Sequence, residues 1–214
     1  MSEAKISVTQ ETPFLLRRLQ SLLGIFPISV FFLQHAFNNG LAFFYGPDRF
    51  NEHVIFLGSL PFLIFLEVFL IFVPILLHAA IGIYIWIFGL SNVQHYGYLR
   101  NWLYSLQRWT GIIAIVFIFY HVYKLRIEWT FKTDLDHITF DYIRDYFHET
   151  WHVLFYFVGI SAATFHFANG IWNFLIKWGI TVGVRAQQVS GYVCAAVGLG
   201  TYIFFITSLY AFTR

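Results

Sequence analysis

The sequence predicts an all-α membrane protein with five transmembrane helices, the first four forming a duplicated two-helix unit. Of its 214 residues 58% are hydrophobic and only 11% are charged, and the mean hydropathy is +0.65. In a soluble domain roughly a quarter of the residues are charged. Apolar stretches long enough to cross about 30 Å of hydrocarbon occur five times. Motifs in the first two stretches return in the third and fourth.

The five stretches define the predicted helices, and residues 1–214 are interpreted as one transmembrane domain. Loop signals separate them: Asn, Gly and Pro residues within 38–48, Ser91 with Asn92, a charged stretch at 132–149, and residues 179–185. Residues 1–13 are polar and lack a basic start followed by an apolar core, so we expect no cleavable signal peptide. The predicted spans are residues 19–41, 60–90, 109–129, 151–178 and 189–212.

The charge distribution predicts the orientation, because Lys and Arg are retained on the cytoplasmic side of a membrane. The N-terminal segment and the second and fourth loops are basic, whereas the first and third loops are acidic. We therefore expect the N-terminus in the cytoplasm and helix one running outward. The basic residues of the cytoplasmic face are Lys5, Arg17, Arg18, Arg100, Arg108, Lys177 and Arg185.

Four of the nine histidines lie inside predicted spans, one on each of the first four helices. An imidazole in hydrocarbon is costly without a partner, so each of these histidines is a functional candidate. Taken singly, each could equally hydrogen-bond a neighbouring helix. The four are His35, His78, His121 and His166. The other five, interpreted as interfacial polar residues, are His53, His95, His137, His148 and His152.

An internal repeat relates the four membrane histidines. Helices one and three share a segment before their histidine, and the extra residue of helix one is expected to be absorbed near Pro27, where a helix can kink. Because the two copies run in the same direction, a pseudo-twofold axis along the membrane normal relates them and equivalent histidines lie at equal depth. The matching segments are Leu19-Gln20-Ser21-Leu22-Leu23-Gly24 with Leu106-Gln107-Arg108-Trp109-Thr110-Gly111, and Gly82-Ile83-Tyr84 with Gly170-Ile171-Trp172.

The helical rise places His35 and His121 in the outer half of the bundle, and His78 and His166 in the cytoplasmic half. Two facing pairs at two depths fit two bis-histidine haem b groups. Gly82 and Gly170 follow their histidines by one turn and are expected to leave room for the porphyrin. The single cysteine, Cys194, excludes c-type haem attachment and iron–sulphur ligation by this chain. The alternative is four core histidines in a non-redox transporter or scaffold.

Motifs along nearly the whole chain resemble the two-haem cytochrome b membrane-anchor subunits of succinate dehydrogenase (succinate:menaquinone oxidoreductase) and fumarate reductase. The resemblance implies a subunit of a bacterial inner-membrane complex that passes electrons through two haems to a quinone, menaquinone above all. It implies that His78 and His166 hold the cytoplasmic-side haem and that His35 and His121 hold the distal one. The segments include Arg17-Arg18-Leu19-Gln20, Gln34-His35, Ser59-Leu60-Pro61-Phe62, Leu66-Glu67, Arg100-Asn101-Trp102, Thr110-Gly111-Ile112, Phe165-His166-Phe167 and Trp178-Gly179-Ile180.

The resemblance also implies partners that this chain needs, since it has no phosphate-binding glycine fingerprint and no cysteine cluster. A flavoprotein with FAD would oxidise succinate, and an iron–sulphur protein with its clusters would dock on the basic cytoplasmic face. The same complex could work as a quinol:fumarate reductase, and nothing indicates a nucleic-acid partner. Positions around the cytoplasmic-side haem, or alternatively ordinary helix-end polar residues, are Gln20, Ser21, Gln107 and Lys177.

Glu67 is the acidic residue that lies deepest in a predicted span. It precedes His78 by about three turns on the same helix face. A buried carboxyl can exchange protons, which quinone chemistry needs, and two haems in series are required only if the quinone reacts at the outer side. We therefore expect Glu67 to serve a distal quinone. The alternative is a protonated glutamic acid that ties two helices together.

Overall fold

The computed structural model describes residues 14–89, 93–132 and 138–214, and every regular element in these ranges is helical. Within them five helices are long and apolar enough to cross a membrane, which confirms the predicted fold class. They are helix one Phe14–Phe44, helix two Leu63–Phe88, helix three Leu99–Phe131, helix four Thr150–Lys177 and helix five Val184–Phe212. The predictions for residues 1–13, Ser91, Asn92 and His137 lie outside the described residues.

Helices one and three begin earlier than predicted, at Phe14 and Leu99 instead of residues 19 and 109. Their first turns are amphipathic and carry arginines, so they continue the α-helix beyond the apolar window that sequence hydropathy detects. The end of the bundle where helices one, three and five begin is called the near end, and the opposite end the far end.

Helix one departs from regular α geometry where the sequence predicts it. Phe26 has extended backbone angles (φ −134°, ψ 124°) within a segment of wide turns, Gly24–Ser29, that contains Pro27. Proline cannot donate to the helical hydrogen-bond ladder. The Ser29 hydroxyl donates to the Gly24 carbonyl at 2.6 Å and so satisfies a carbonyl of this irregular turn. Similar wide turns occur at Glu67–Phe72 and Tyr123–Glu128.

Residues 38–40 were predicted to begin a loop, but they lie within helix one. The Asn39 side chain donates to the His35 carbonyl at 2.8 Å, inside the helix. Gly40 faces the Phe204 ring of helix five so closely that a Cβ would overlap it. Gly40 therefore serves a close contact between helices here, and the helix continues to Phe44.

Two short helices, the cap helices, occupy parts of the segments predicted as far-end loops. The first, Pro47–Gly58, begins with proline, whose fixed φ suits the first helical turn. The second, Phe140–Tyr146, starts after Thr139, whose side chain accepts a hydrogen bond from a first-turn backbone N–H. Sequence analysis missed both helices because they are short and neither contains a long apolar stretch.

The cap helices are joined to each other and to helix five. The Phe140 backbone N–H donates to Asn51 Oδ1 at 2.8 Å. Phe50 is 2% exposed and packs against the rings of Phe140 and Phe212. A buried apolar cluster therefore links the far ends of the bundle and both cap helices.

Helix four packs against helices three and five, and helix five also packs against the far half of helix one, Val30–Phe44. Glycines allow close approach: Gly159 faces Phe117 of helix three, and Gly198 of helix five faces Ala168 of helix four. Helix two contacts the first turns of helix one through its second half, Val73–Phe88. The arrangement places the four membrane histidines among helices one to four, with helix five against the far half of helix one.

Candidate cofactor-binding site

The structure brings the four membrane histidines together as two facing pairs. In the near pair, the ring centroids of His78 and His166 lie 6.1 Å apart and the rings are perpendicular, at 89°. In the far pair, His35 and His121 have centroids 5.7 Å apart and an interplanar angle of 82°. The residues that face each other are those matched by the repeat. Their role as ligands stays a prediction.

Backbone carbonyls hold both imidazoles of the near pair. His78 Nδ1 lies 2.8 Å from the Gln20 carbonyl oxygen, and His166 Nδ1 lies 2.9 Å from that of Gln107. A carbonyl oxygen only accepts, so each Nδ1 donates and each Nε2 keeps its lone pair. Metal-binding histidines characteristically donate their other N–H in this way. The two halves of the repeat thus hold their histidines through the same kind of backbone contact.

Two glycines let these imidazoles lie directly against helices one and three. A Cβ at Gly24 would come within 2.8 Å of His78 Cε1, and a Cβ at Gly111 within 2.9 Å of His166 Cε1. Such distances are too short for any side chain. Gly24 and Gly111 are repeat equivalents, so the cradle for the imidazole is duplicated as well.

The glycines expected to leave room for the porphyrin lie beside glutamine side chains, and their role toward a porphyrin stays a prediction. A Cβ at Gly82 would meet the Gln20 amide nitrogen at 3.8 Å, and one at Gly170 would meet that of Gln107 at 3.3 Å. The Gln107 amide donates to the His166 carbonyl at 3.0 Å and accepts from Asn169 Nδ2 at 2.7 Å. Gly170 therefore leaves room for the Gln107 side chain, which binds helix four next to His166.

The remaining residues expected around the cytoplasmic-side haem also lie at the near end. Ser21 is half-buried on helix one beside Gln20. Lys177 is the last residue of helix four and is close enough to His78 and Arg17 to interact electrostatically with both. The structure therefore gathers Gln20, Ser21, Gln107 and Lys177 at the same end as the near pair, and their contact with a haem stays a prediction.

At the far pair, side chains contact the two imidazoles. His121 Nδ1 lies 3.2 Å from the Tyr156 hydroxyl oxygen. His35 stacks on Phe31 with centroids 5.4 Å apart and packs against Phe205 of helix five at 6.0 Å. Aromatic rings therefore position His35, whereas a phenol holds His121.

Glu67 forms a salt bridge that sequence analysis missed. Its Oε2 lies 2.7 Å from Arg126 Nη2 of helix three, and the Glu67 side chain is 20% exposed. Arg126 lies inside the predicted span 109–129, and helix three continues past it to Phe131. Glu67 therefore ties helices two and three together through an ion pair. A role in proton exchange stays a prediction.

The arrangement of donors fits a porphyrin better than a free metal ion. The ring centroids of the pairs are 5.7 and 6.1 Å apart, a separation of the size that a metal bound by one nitrogen of each ring at about 2 Å requires. Yet no group of three or more His, Cys, Asp or Glu side chains within the described residues could hold a metal ion. Two imidazoles suffice only when a cofactor supplies the other ligands, as haem does.

Not all basic residues of the near end are free to dock a partner. The Arg108 guanidinium donates to the carbonyls of Trp86 and, at 2.8 Å, Gly89, and so caps the C-terminus of helix two. Arg18 lies over the Trp178 ring, at 4.6 Å from its centroid, and Arg100 donates to Gln187 at 2.7 Å. The expectation that Arg108 belongs to a docking face is corrected accordingly.

Of the histidines predicted to be interfacial, His152 is buried, with 9% exposure. Its ring stacks on Tyr146 at 3.9 Å and contacts Trp151 at 3.8 Å. The second cap helix folds back over the start of helix four and covers this histidine. Because that helix was predicted as a loop, its covering effect was missed.

Two comparisons with known proteins identify the family of the chain. Residues 90–206 match the family model described as the succinate dehydrogenase/fumarate reductase transmembrane subunit. The chain is also 39% identical over 199 residues to the succinate dehydrogenase cytochrome b558 subunit of Bacillus subtilis (strain 168), which covers 93% of this chain and 96% of that protein. Because the second similarity covers 93% of this chain, it extends over the region that contains all four membrane histidines.

Proposed function

Because the chain belongs to the transmembrane subunits of the succinate dehydrogenase/fumarate reductase family, we propose that it carries electrons from an iron–sulphur subunit through two bis-histidine haem b groups to a quinone. The observation that carries this proposal is the arrangement of the four membrane histidines as two facing pairs at two depths. The repeat-related hydrogen bonds of His78 and His166 support it, because they leave Nε2 available on both near imidazoles.

In this proposal His78 and His166 bind the near haem, and His35 and His121 bind the far haem. Haem supplies one-electron redox chemistry that none of the surrounding side chains can perform. The chain's own residues orient the imidazoles and keep water away. Gln20 and Gln107 hold Nδ1 of the near pair, whereas Phe31 and Phe205 enclose His35.

The other subunits would supply the chemistry of succinate. A flavoprotein with FAD would remove two electrons and two protons from succinate to give fumarate, and an iron–sulphur subunit would deliver the electrons to the near haem. The near end is suited to that subunit because Arg17 and Arg185 are exposed there. Complementary charge on the partner would guide docking. The near end would then face the cytoplasm of a bacterial cell.

The quinone, proposed to be menaquinone, would react at the far end. A quinone at the near end could take electrons directly from the iron–sulphur subunit, so two haems in series serve a purpose only if electrons cross the bilayer. Glu67 and Arg126 lie in the far half of helices two and three, where they could exchange protons with that quinone. Moving one charge across the membrane costs or yields about 2.3 kcal/mol per 100 mV.

The decisive experiment is a reduced-minus-oxidised spectrum of the purified complex combined with histidine variants. We expect two low-spin, six-coordinate b haems per copy of this chain. His78→Ala and His166→Ala should remove one spectral component, and His35→Ala and His121→Ala the other. His53→Ala, which alters a far-end histidine on the first cap helix, should leave both components.

Two outcomes would contradict the proposal. A complex without b haem would favour the non-redox scaffold or transporter. If His78→Ala and His35→Ala abolished the same component while sparing the other, the assignment of ligands to pairs would be wrong. Measuring succinate oxidation and fumarate reduction on the same preparation distinguishes the dehydrogenase from the reverse activity, which is the second candidate function.

A further inference from the structure

The two histidine pairs differ in what accepts the Nδ1 proton. At the near pair both acceptors are backbone carbonyls, which any residue would provide. At the far pair His121 Nδ1 faces a side chain, the Tyr156 hydroxyl, at 3.2 Å. By the spacing that relates His78 to His166, the repeat equivalent of Tyr156 is Val68, whose side chain cannot form hydrogen bonds. Duplication of the two-helix unit therefore does not explain why a tyrosine lies at position 156.

Packing fixes the position of the Tyr156 hydroxyl. The residue is 4% exposed. Its ring packs edge-on against Phe117 of helix three and against Phe147, with centroids 5.2 and 4.8 Å away and interplanar angles of 90°. A phenol held on two sides keeps one direction for its C–O bond, and here that direction leads to His121.

Behind Tyr156 lies a small buried polar cluster. The Tyr146 hydroxyl is buried beside the hydroxyls of Tyr120 and Tyr156 without a hydrogen bond of ordinary geometry to either. His152 Nδ1 lies 2.7 Å from the Tyr146 carbonyl oxygen, to which it donates, and His152 Nε2 lies 3.5 Å from the Tyr120 hydroxyl. Three phenols and an imidazole thus occupy the space between the second cap helix and His121.

We propose that Tyr156 is a positioning residue for the far haem. Its hydroxyl oxygen accepts the Nδ1 proton of His121, which aims Nε2 across the bundle at His35 and increases its strength as a ligand. The inference rests on the proposed function, in which His121 binds haem iron. A stronger imidazole donor favours the oxidised iron, which carries the greater positive charge. Tyr156 therefore lowers the midpoint potential of the far haem.

The test is an equilibrium redox titration, with electron paramagnetic resonance of the oxidised haems, on the whole complex carrying Tyr156→Phe. The variant removes only the hydroxyl and keeps the ring packing. We expect both haems to be present. The component that His121→Ala abolishes should have a higher midpoint potential and altered g-values, and the other component should be unchanged.

Tyr202→Phe is the matched control. Its hydroxyl lies 3.3 Å from Ser161 Oγ and its ring packs against the same apolar cluster, but it belongs to helix five. This variant should alter neither haem. Loss of the far haem alone from Tyr156→Phe also supports the inference, because positioning has then failed completely.

Unchanged potentials and g-values in Tyr156→Phe would overturn the inference and leave the two-haem assignment intact. So would an equal effect of Tyr156→Phe and Tyr202→Phe, or loss of both haems from Tyr156→Phe, since either result indicates general destabilisation. Absence of b haem from the unaltered complex would refute the proposed function itself, which makes the two failures distinguishable.

Discussion

At the scale of single residues, the near pair shows how the backbone selects the nitrogen that an imidazole presents. The Gln20 and Gln107 carbonyls fix Nδ1 of His78 and His166 as the donor. A carbonyl remains whichever side chain occupies its residue, so substitutions at position 20 or 107 leave this acceptor in place. The corresponding partner of His121 is a tyrosine side chain, which one substitution removes.

The role of Glu67 is testable with its ion-pair partner as the comparison. Glu67→Gln keeps size and polarity but cannot exchange a proton. We expect it to slow quinone-dependent turnover about a hundredfold or more, within the range that a single proton-transfer group contributes. Succinate oxidation with an artificial acceptor at the flavin should be unaffected. Steady-state rates with both acceptors provide the measurement.

Arg126→Gln removes the same salt bridge but keeps the Glu67 carboxyl. If Glu67 acts in proton exchange, Arg126→Gln should be clearly more active with quinone than Glu67→Gln. Equal defects in the two variants would show that the salt bridge only ties helices two and three. Full quinone activity of Glu67→Gln, with both haems present, would exclude Glu67 from the mechanism.

The four histidines of the site could be predicted from the sequence, but their hydrogen-bond partners could not. Four imidazoles in hydrocarbon are individually costly, and their repeat leaves a visible pattern. Carbonyl acceptors leave no such trace, because every residue has one. The pairing of Arg126 with Glu67 was missed because the two residues are far apart in sequence and lie on different helices. Tyr156 could have been noticed only by comparing the two copies, where it replaces a valine.

At the scale of helices, close packing depends on small residues at particular crossings. Gly198 of helix five lies against Ala168 of helix four, and a Cβ at Gly198 would come within 2.5 Å of the Ala168 Cβ. Neither atom belongs to a flexible chain, so relief requires movement of a whole helix. Close approach of this kind is how helices gain contact energy in lipid.

Gly198→Ala should therefore destabilise the protein by about 1–3 kcal/mol, the usual cost of overpacking. Gly200→Ala, two residues along the same helix, has no atom within 4 Å of the added Cβ. It should be neutral or stabilise by up to about 1 kcal/mol, because alanine favours helix over glycine. Thermal loss of helical circular dichroism in detergent provides the measurement. Similar stabilities of the two variants would contradict the packing of helices four and five.

The five spans were predictable because membrane crossing imposes length and hydropathy on each of them. The cap helices were not, since tertiary contacts such as that between Asn51 and Phe140 stabilise them. The loop predicted to begin at residues 38–40 was wrong for the same reason, because tertiary contacts allow the helix to continue there. An asparagine or glycine ends a helix in water, but it can continue one where another helix lies against it.

At the scale of the whole molecule, the distribution of charge implies that the near end faces the cytoplasm. Labelling of single cysteines in intact cells can test this, with Cys194→Ser as the background because Cys194 is the only cysteine. Val182→Cys, at a position 78% exposed in the near-end loop, should resist a membrane-impermeant maleimide. Thr213→Cys, an exposed position at the far end, should react.

The opposite labelling pattern would show that the orientation is the reverse of the proposed one. The proposed docking face would then be wrong as well. Cross-links from the iron–sulphur subunit to residues 138–149 would have the same effect. Labelling of both positions only after cell lysis would show that the far end is not outside, which the proposal also forbids.

Helix five lies outside the twofold repeat, and this has a consequence for biogenesis. The far half of helix one packs against helix five, and Phe205 contacts His35. Helix one leaves the ribosome first and helix five last, so the wall around His35 is incomplete until translation ends. The near pair needs only helices one to four. Cofactor capture would therefore be ordered during synthesis, with the near haem accommodated first and the far haem only once the C-terminal helix has inserted.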